Sequence, residues 1–271
     1  AEELAEIFDQ WNKGPLESFL IEITAHIFRV KDAESGGPLV DKVLDKAGQK
    51  GTGKWTAQVA LDLAVAIPTI AAAIDARVLS SMKDERMQAA RVLSGAPASA
   101  GGSPAKAGAP SDRKQFIRDV HDALYASKIC SYAQGMALIQ AGSSEWKWNI
   151  NMREMARIWK AGCIIRARFL DSIMRAYERN ANLSNLLLDE EFSARVTESQ
   201  DAWRRAVSIA QTSGFAVPAM SASLAYFDAY RSADLPQNLT QAQRDYFGAH
   251  TYQRNDKGKD APFVHTDWAK Q

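Results

Sequence analysis

Residues 113–140, "RKQFIRDVHDALYASKICSYAQGMALIQ", decide the fold class of this 271-residue chain. Large apolar side chains recur here at spacings that place them near one face of a helix: Phe116, Val120, Leu124, Ile129 and Met136. The stretch therefore predicts a long α-helix that buries one side against the rest of the protein.

Helix signals continue on both sides of this stretch, and strand signals are almost absent. Apolar spacing, prolines and glycines predict helices over residues 2–10, 15–30, 39–47, 56–67, 68–81, 81–93, a run up to 179, then 186–214, 218–232 and 239–249. Segment 56–81 is rich in Ala, Val and Ile, so we expect it to be buried on most sides. The predicted fold class is all-α.

The domain organisation follows from composition along the chain. Residues 1–250 are predicted to form one all-α domain, interrupted by a flexible Gly/Ala/Pro/Ser-rich loop near 95–111. The tail, 251–271, is polar with scattered aromatic residues, a pattern typical of an arm that lies on another surface.

Composition excludes several classes of protein. Lys and Arg number 33 against 32 Asp and Glu, and no basic block stands out, which argues against nucleic-acid binding. No apolar run reaches membrane-spanning length. The two cysteines, Cys130 and Cys163, both lie in apolar patterns, so we expect no disulfide framework and a cytoplasmic location.

Residues 47–56, "AGQKGTGKWT", nearly match the phosphate-binding loop of nucleotide hydrolases. Trp55 stands where that loop needs a magnesium-binding Ser or Thr, and the preceding segment has helical rather than strand spacing, which excludes that interpretation. The glycines still let backbone approach a ligand, and Lys50, Thr52 and Lys54 suit an anion. The alternative is that the lysines are simply solvated, and Trp55 is interpreted as a packing residue.

Several segments, taken in order, resemble the C-terminal part of the 6-phosphogluconate dehydrogenase family. The most specific are "AGQKGTGKWT" and "QRDYFGAHTY", accompanied by "SFLIEITAHI", "SSMKDERMQA", "ALYASKICSYAQGM", "GCIIRARFLD", "NLLLDEEF", "DAWRRAV" and "FVHTDW". The resemblance covers essentially the whole chain outside the loop near Gly101. It implies a large helical domain that forms a homodimer, with each C-terminal tail reaching the partner's active site.

The implied reaction is the NADP-dependent oxidative decarboxylation of 6-phosphogluconate to ribulose 5-phosphate, in the pentose phosphate pathway. By matching motif, the resemblance implies substrate contacts at Lys50, Thr52 and Arg77, and at Arg244 and His250 of the partner subunit's tail. Arginine and lysine can bind phosphate oxygens, while Thr and His can hydrogen-bond hydroxyl or carboxyl groups.

Each assignment has an alternative. Arg77 stands in an apolar helix, where a buried arginine either pairs with Asp75 or Asp84 or faces an anion; we favour the anion. Without the motif, Arg244 and His250 read as ordinary surface residues. His265 is interpreted as an anchor of the tail on the partner, without a chemical role.

The family's dinucleotide-binding domain and its catalytic "K-x-x-x-N-x-I-E-Y" helix find no match in this chain. We therefore predict no catalytic and no metal-binding residue here, and expect NADP to be bound mainly by an N-terminal domain upstream. The chain is expected to be one part of a larger enzyme, inactive by itself. The alternative is a non-catalytic helical scaffold or sugar-phosphate binding module.

Overall fold

The protein is built from α-helices joined by short connections, in a computed structural model that describes residues 1–48, 51–93 and 112–270. The α-helices in these ranges are α1 Glu2–Trp11, α2 Phe19–Arg29, α3 Thr52–Asp62, α4 Pro68–Ser81, α5 Lys83–Leu93, α6 Arg113–Glu145, α7 Met152–Ile158, α8 Phe169–Arg179, α9 Glu190–Thr212, α10 Pro218–Tyr230 and α11 Gln237–Gly248. Short 3-10 helices cover Leu39–Lys42, Leu186–Leu188 and Asn255–Lys257. The predicted all-α class is confirmed.

The long helix predicted from residues 113–140 is α6, which extends for 33 residues. Asp112 begins it, because its carboxylate accepts a hydrogen bond from the backbone N–H of Gln115 at 3.0 Å. α6 packs along α9, and Ile129 and Met136 of α6 are buried together with Phe192 and Trp203 of α9. The core of the protein is therefore centred on these two helices.

A buried polar network fixes α4 against α6. Gln134 of α6 donates from Nε2 to Oγ1 of Thr69 at 2.8 Å, and its Oε1 accepts the backbone N–H of Thr69 at 3.0 Å. The Thr69 hydroxyl also lies 2.9 Å from the Ser223 hydroxyl of α10. Because every polar atom named here has a partner, the network can be buried and still position α4.

Three local predictions were wrong. Residues 39–47 form only a 3-10 helix at Leu39–Lys42, and Val43 and Leu44 are more than 60% exposed, so the apolar spacing had no core to face. Helix α2 begins at Phe19 rather than 15, because the hydroxyl of Ser18 caps the N–H of Ile21. Segment 56–81 is not buried on most sides: Ala60 and Ile67 pack with Leu138 of α6, whereas Leu61 is 83% accessible.

Other boundaries agree with the sequence. Pro68 separates α3 from α4 and occupies the first turn of α4, where its missing N–H costs nothing. The predicted loop near 95–111 lies outside the described residues. None of the described helices combines the length and apolar character needed to span a membrane.

The described chain divides into two compact units, Ala1–Tyr226 and Phe227–Gln271. In the second unit α11 is followed by a tail that folds back on itself, with an antiparallel bridge between Tyr252 and Val264. The predicted division into residues 1–250 and a tail 251–271 that crosses to a partner stays a prediction.

Candidate functional site

The beginning of α3 carries Thr52, one of the predicted substrate contacts. This helix starts four residues earlier than predicted, so that Gly53 and Lys54 belong to its first turn and not to a loop. Gly51 precedes it with φ +77°, a left-handed conformation that glycine adopts without strain. Thr52 is exposed at the N-terminal end of α3, and backbone N–H groups without a helical partner favour anions at such an end.

Arg77 of α4 lies beside the chain that leads to α3. Its guanidinium donates to the carbonyl of Gly48. The backbone N–H of Ala47 donates to Oγ of Ser80 at 2.9 Å, and that hydroxyl donates to the carbonyl of Arg77 at 2.7 Å. These bonds hold the 47–48 backbone against α4.

The expectation that Arg77 is buried was wrong, since its side chain is exposed. Among the described residues, neither Asp75 nor Asp84 lies within ion-pair distance of it. Lys50 lies outside the described residues. Trp55 is 62% exposed, so its interpretation as a packing residue finds no support in this unit.

Sequence reasoning missed Asp45, which binds the chain just before residues 47–48 to α5. Its carboxylate accepts from Lys83 at 2.6 Å and from Arg86 at 3.1 Å. The Lys83 bond, followed by the Arg86 bond, lowers the pKa of the Asp45 carboxyl. The signal available in the sequence was the pair of cations at the start of α5.

Arg244 and His250 belong to the second unit, in α11 and just after it. Arg244 is exposed, and its guanidinium donates to Oε1 of Gln241 at 3.2 Å. His250 is exposed too, and its ring lies edge-on to the ring of Phe247 with centroids 6.0 Å apart. Both side chains are therefore accessible to a ligand.

The buried carboxylate of Asp245, which lies between Arg244 and His250 in the sequence, holds the tail against the end of α11. It accepts four hydrogen bonds, from the backbone N–H groups of Thr251 and Thr266, from Nε1 of Trp268 and from Nδ1 of His265. Burial alone would raise the pKa of Asp245, but these four bonds outweigh it and hold the pKa well below its usual range. His265, interpreted from sequence as an anchor on the partner, is bonded to Asp245 of its own chain.

A second feature missed by sequence reasoning is an apolar cavity of about 500 Å³ against α6, lined among others by Leu16, Ile21, Lys128, Tyr132 and Trp159. Nζ of Lys128 and Oγ of Ser127 are buried without a hydrogen-bond partner among the described residues. Desolvation lowers the pKa of Lys128 to about 8. The signal was a lysine in the apolar pattern "ASKIC" of α6.

The helical architecture defines the class: an all-α domain that exposes Arg77, Arg244 and His250. Residues 1–268 match the C-terminal domain of 6-phosphogluconate dehydrogenase, and the chain belongs to this family.

Individual relatives agree with the family assignment. A chloroplastic decarboxylating 6-phosphogluconate dehydrogenase of Spinacia oleracea is 58% identical over 269 residues, which cover 99% of this chain and 49% of the relative. A second decarboxylating 6-phosphogluconate dehydrogenase, from Arabidopsis thaliana, is 59% identical over 271 residues, which cover 99% of this chain and 54% of the relative.

A solved structure of Plasmodium falciparum 6-phosphogluconate dehydrogenase superposes with a TM-score of 0.91 at 44% identity, over 98% of this chain and 55% of that one. That enzyme is described in its apo form and in complexes with its cofactor NADP+ and its substrate 6-phosphogluconate. The chain thus spans about half the length of the relatives it matches.

Proposed function

We propose that this chain supplies the sugar-phosphate site of an NADP-dependent, decarboxylating 6-phosphogluconate dehydrogenase of the pentose phosphate pathway. The observation that carries the proposal is the position of Arg77, whose guanidinium lies at Gly48, directly before the segment that holds Lys50 and Thr52. The complexes described for the Plasmodium falciparum enzyme support the choice of substrate and cofactor.

The substrate carries a phosphate at one end and a carboxylate at the other, so its site needs several cations and hydrogen-bond donors. Lys50, Thr52 and Arg77 would bind it from one subunit, and Arg244 and His250 from the tail of the partner in a homodimer. The exposure of Arg77, Arg244 and His250 supports this role, because each can exchange water for a ligand oxygen.

In this proposal the chain binds and orients the sugar acid and contributes no catalytic residue. NADP accepts a hydride when bound, and its site is assigned mainly to an N-terminal domain outside this chain. A cytoplasmic location and the absence of nucleic-acid and membrane partners remain part of the proposal.

Calorimetric titration of the purified chain with 6-phosphogluconate tests the proposal. Arg77→Ala should weaken binding by about tenfold to a hundredfold, the effect of losing one charge-assisted contact. Arg118→Ala is the matched control, because Arg118 is an exposed arginine of α6 that bonds only to Gln115 among the described residues. Unchanged affinity in Arg77→Ala would remove Arg77 from the site. A wild-type chain that does not bind would favour the scaffold alternative.

A further inference from the structure

The setting of His250 is unusual for an exposed side chain. The residues on either side of it both have left-handed backbones, with φ +47° at Ala249 and +56° at Thr251. A left-handed conformation is uncommon for any residue other than glycine and is strained for a β-branched residue such as Thr251. The backbone around His250 therefore persists only because neighbouring groups hold it.

Asp245 provides one of those restraints. Its Oδ1 accepts the backbone N–H of Thr251 at 2.9 Å, and its carboxylate is completely buried. Gln241, one turn earlier in α11, donates from Nε2 to the carbonyl of Thr251 at 2.6 Å. The backbone N–H and the carbonyl of Thr251 are thus both bonded to side chains of α11.

The direction of the Asp245 carboxylate is fixed in turn by the tail. Oδ2 accepts the backbone N–H of Thr266 at 3.0 Å and Nε1 of Trp268 at 2.8 Å, and Oδ1 also lies 3.0 Å from Nδ1 of His265. A single carboxylate therefore joins the turn after α11 to residues 265–268.

Gly248 supplies the space that the imidazole occupies. A Cβ at this position would lie 2.8 Å from Nε2 of His250 and 2.9 Å from its Cδ2, closer than side-chain contacts allow. The backbone of Gly248 itself is not left-handed, so alanine is compatible with its conformation. Only the imidazole has to move when a methyl group is added.

We propose that Gly248 and Asp245 are positioning residues, which fix the direction of the His250 imidazole for contact with the sugar acid. The inference rests on the proposed substrate role of His250 and names the groups through which that role depends on α11 and the tail. Gly248 acts by leaving room for the ring, and Asp245 acts by holding Thr251.

Gly248→Ala separates positioning from folding, since alanine at the last residue of a helix does not weaken the helix. We expect 6-phosphogluconate to bind about tenfold more weakly, with an unchanged melting temperature. The double variant Gly248→Ala/His250→Ala should bind no more weakly than His250→Ala alone, because both changes remove the same contact. Gly135→Ala in α6, where a Cβ meets open space, is the control.

A direct readout keeps the proposal testable if the wild-type chain does not bind the substrate. The ring current of Phe247 should shift the His250 ring-proton resonances in the NMR spectrum of the wild type, and Gly248→Ala should abolish this shift. Asp245→Asn should do the same, since its amide opposes either the Thr251 N–H or the Thr266 and Trp268 donors. Unchanged His250 resonances in Gly248→Ala, or additive losses in the double variant, would overturn the proposal. Missing wild-type binding with the expected NMR changes would overturn only the proposed function.

Discussion

The carboxylate of Asp245 and the amine of Lys128 are both withdrawn from solvent, and their surroundings are opposite. Asp245 belongs to a polar tail and receives four hydrogen bonds. Lys128 belongs to the apolar side of α6 and has no hydrogen-bond partner among the described residues, only the ring of Phe169 with its centroid 5.4 Å from Nζ.

The two environments have opposite effects on the stability of their regions. Four donors make the ionised form of Asp245 the stable one, so the charge holds its region together. Desolvation without a partner penalises the ammonium of Lys128, so that charge weakens its region below the pKa of about 8. The Asp245 carboxylate therefore stabilises the residues around it, whereas the Lys128 ammonium lowers the stability that the α6–α9 core provides.

The largest expected effect is that of Asp245→Ala, which leaves four donors without their acceptor. We expect residues 251–268 to detach from α11, with hydrogen exchange at the Thr266 amide and the Trp268 indole accelerated on the order of a hundredfold. Asp256→Ala is the control, because Asp256 is exposed and pairs with Arg254 at 2.7 Å. Equal exchange rates in Asp245→Ala and the wild type would show that the tail does not depend on this carboxylate.

The same contribution should depend on pH with a defined sign. Because the folded pKa of Asp245 is depressed below its ordinary value of 3.8, its stabilisation is complete above that value. It is lost as pH falls from 3.8 through the folded pKa. Protection of the Trp268 indole should therefore decline only in that acid range, and a decline between pH 5 and 7 would contradict the assignment.

Lys128→Met should have a smaller effect of opposite sign. Removing a buried amine that has no hydrogen-bond partner among the described residues should stabilise the chain at pH 7 by about 2 kcal/mol, within the limit of roughly 3 kcal/mol that the lowered pKa of Lys128 allows. Urea unfolding measures the change. Lys114→Met, at an exposed position of the same helix, should leave stability nearly unchanged; equal results for the two variants would show that the Lys128 amine is not desolvated.

The pH dependence of Lys128 runs in the other direction from that of Asp245. The unfolded chain keeps its proton up to about pH 10.5, whereas the folded chain releases it near pH 8, so stability should rise with pH between these values. Lys128→Met should abolish this rise. A rise of the same size in both proteins would assign it to another group.

Ser223→Ala tests a neutral buried group and should have a smaller effect than either charged variant. Its hydroxyl bonds to Thr69 in a network where the other members keep partners, so the loss should be about 1 kcal/mol in urea unfolding. Ser193→Ala, which removes an exposed hydroxyl bonded to Glu190, is the control. A loss above roughly 3 kcal/mol would mean that the whole network depends on Ser223.

The candidate site was predictable only in part. The sequence motifs identified Thr52, Arg77, Arg244 and His250. Their role in binding stays a prediction, since their exposure permits binding without demonstrating it. Asp45 and Asp245 could not be found in this way, because most of their hydrogen-bond donors lie 20 or more residues away along the chain. Lys128 was hidden for a related reason: the spacing of α6 shows which side is apolar, but not whether a cavity faces it.

The helical class and the long helix α6 followed from the sequence alone, because helix periodicity, capping and proline breaks are local properties of neighbouring residues. The family followed from it too, through motifs such as "QRDYFGAHTY". Which apolar residues are buried depended on folding: Val43 and Leu44 have helical spacing but are exposed, and segment 56–81 buries Ala60 and Ile67 while it exposes Leu61. Folding also gave Asp245 four hydrogen-bond donors and left the Lys128 amine without a hydrogen-bond partner among the described residues, since the environment of a charge depends on groups brought together by folding.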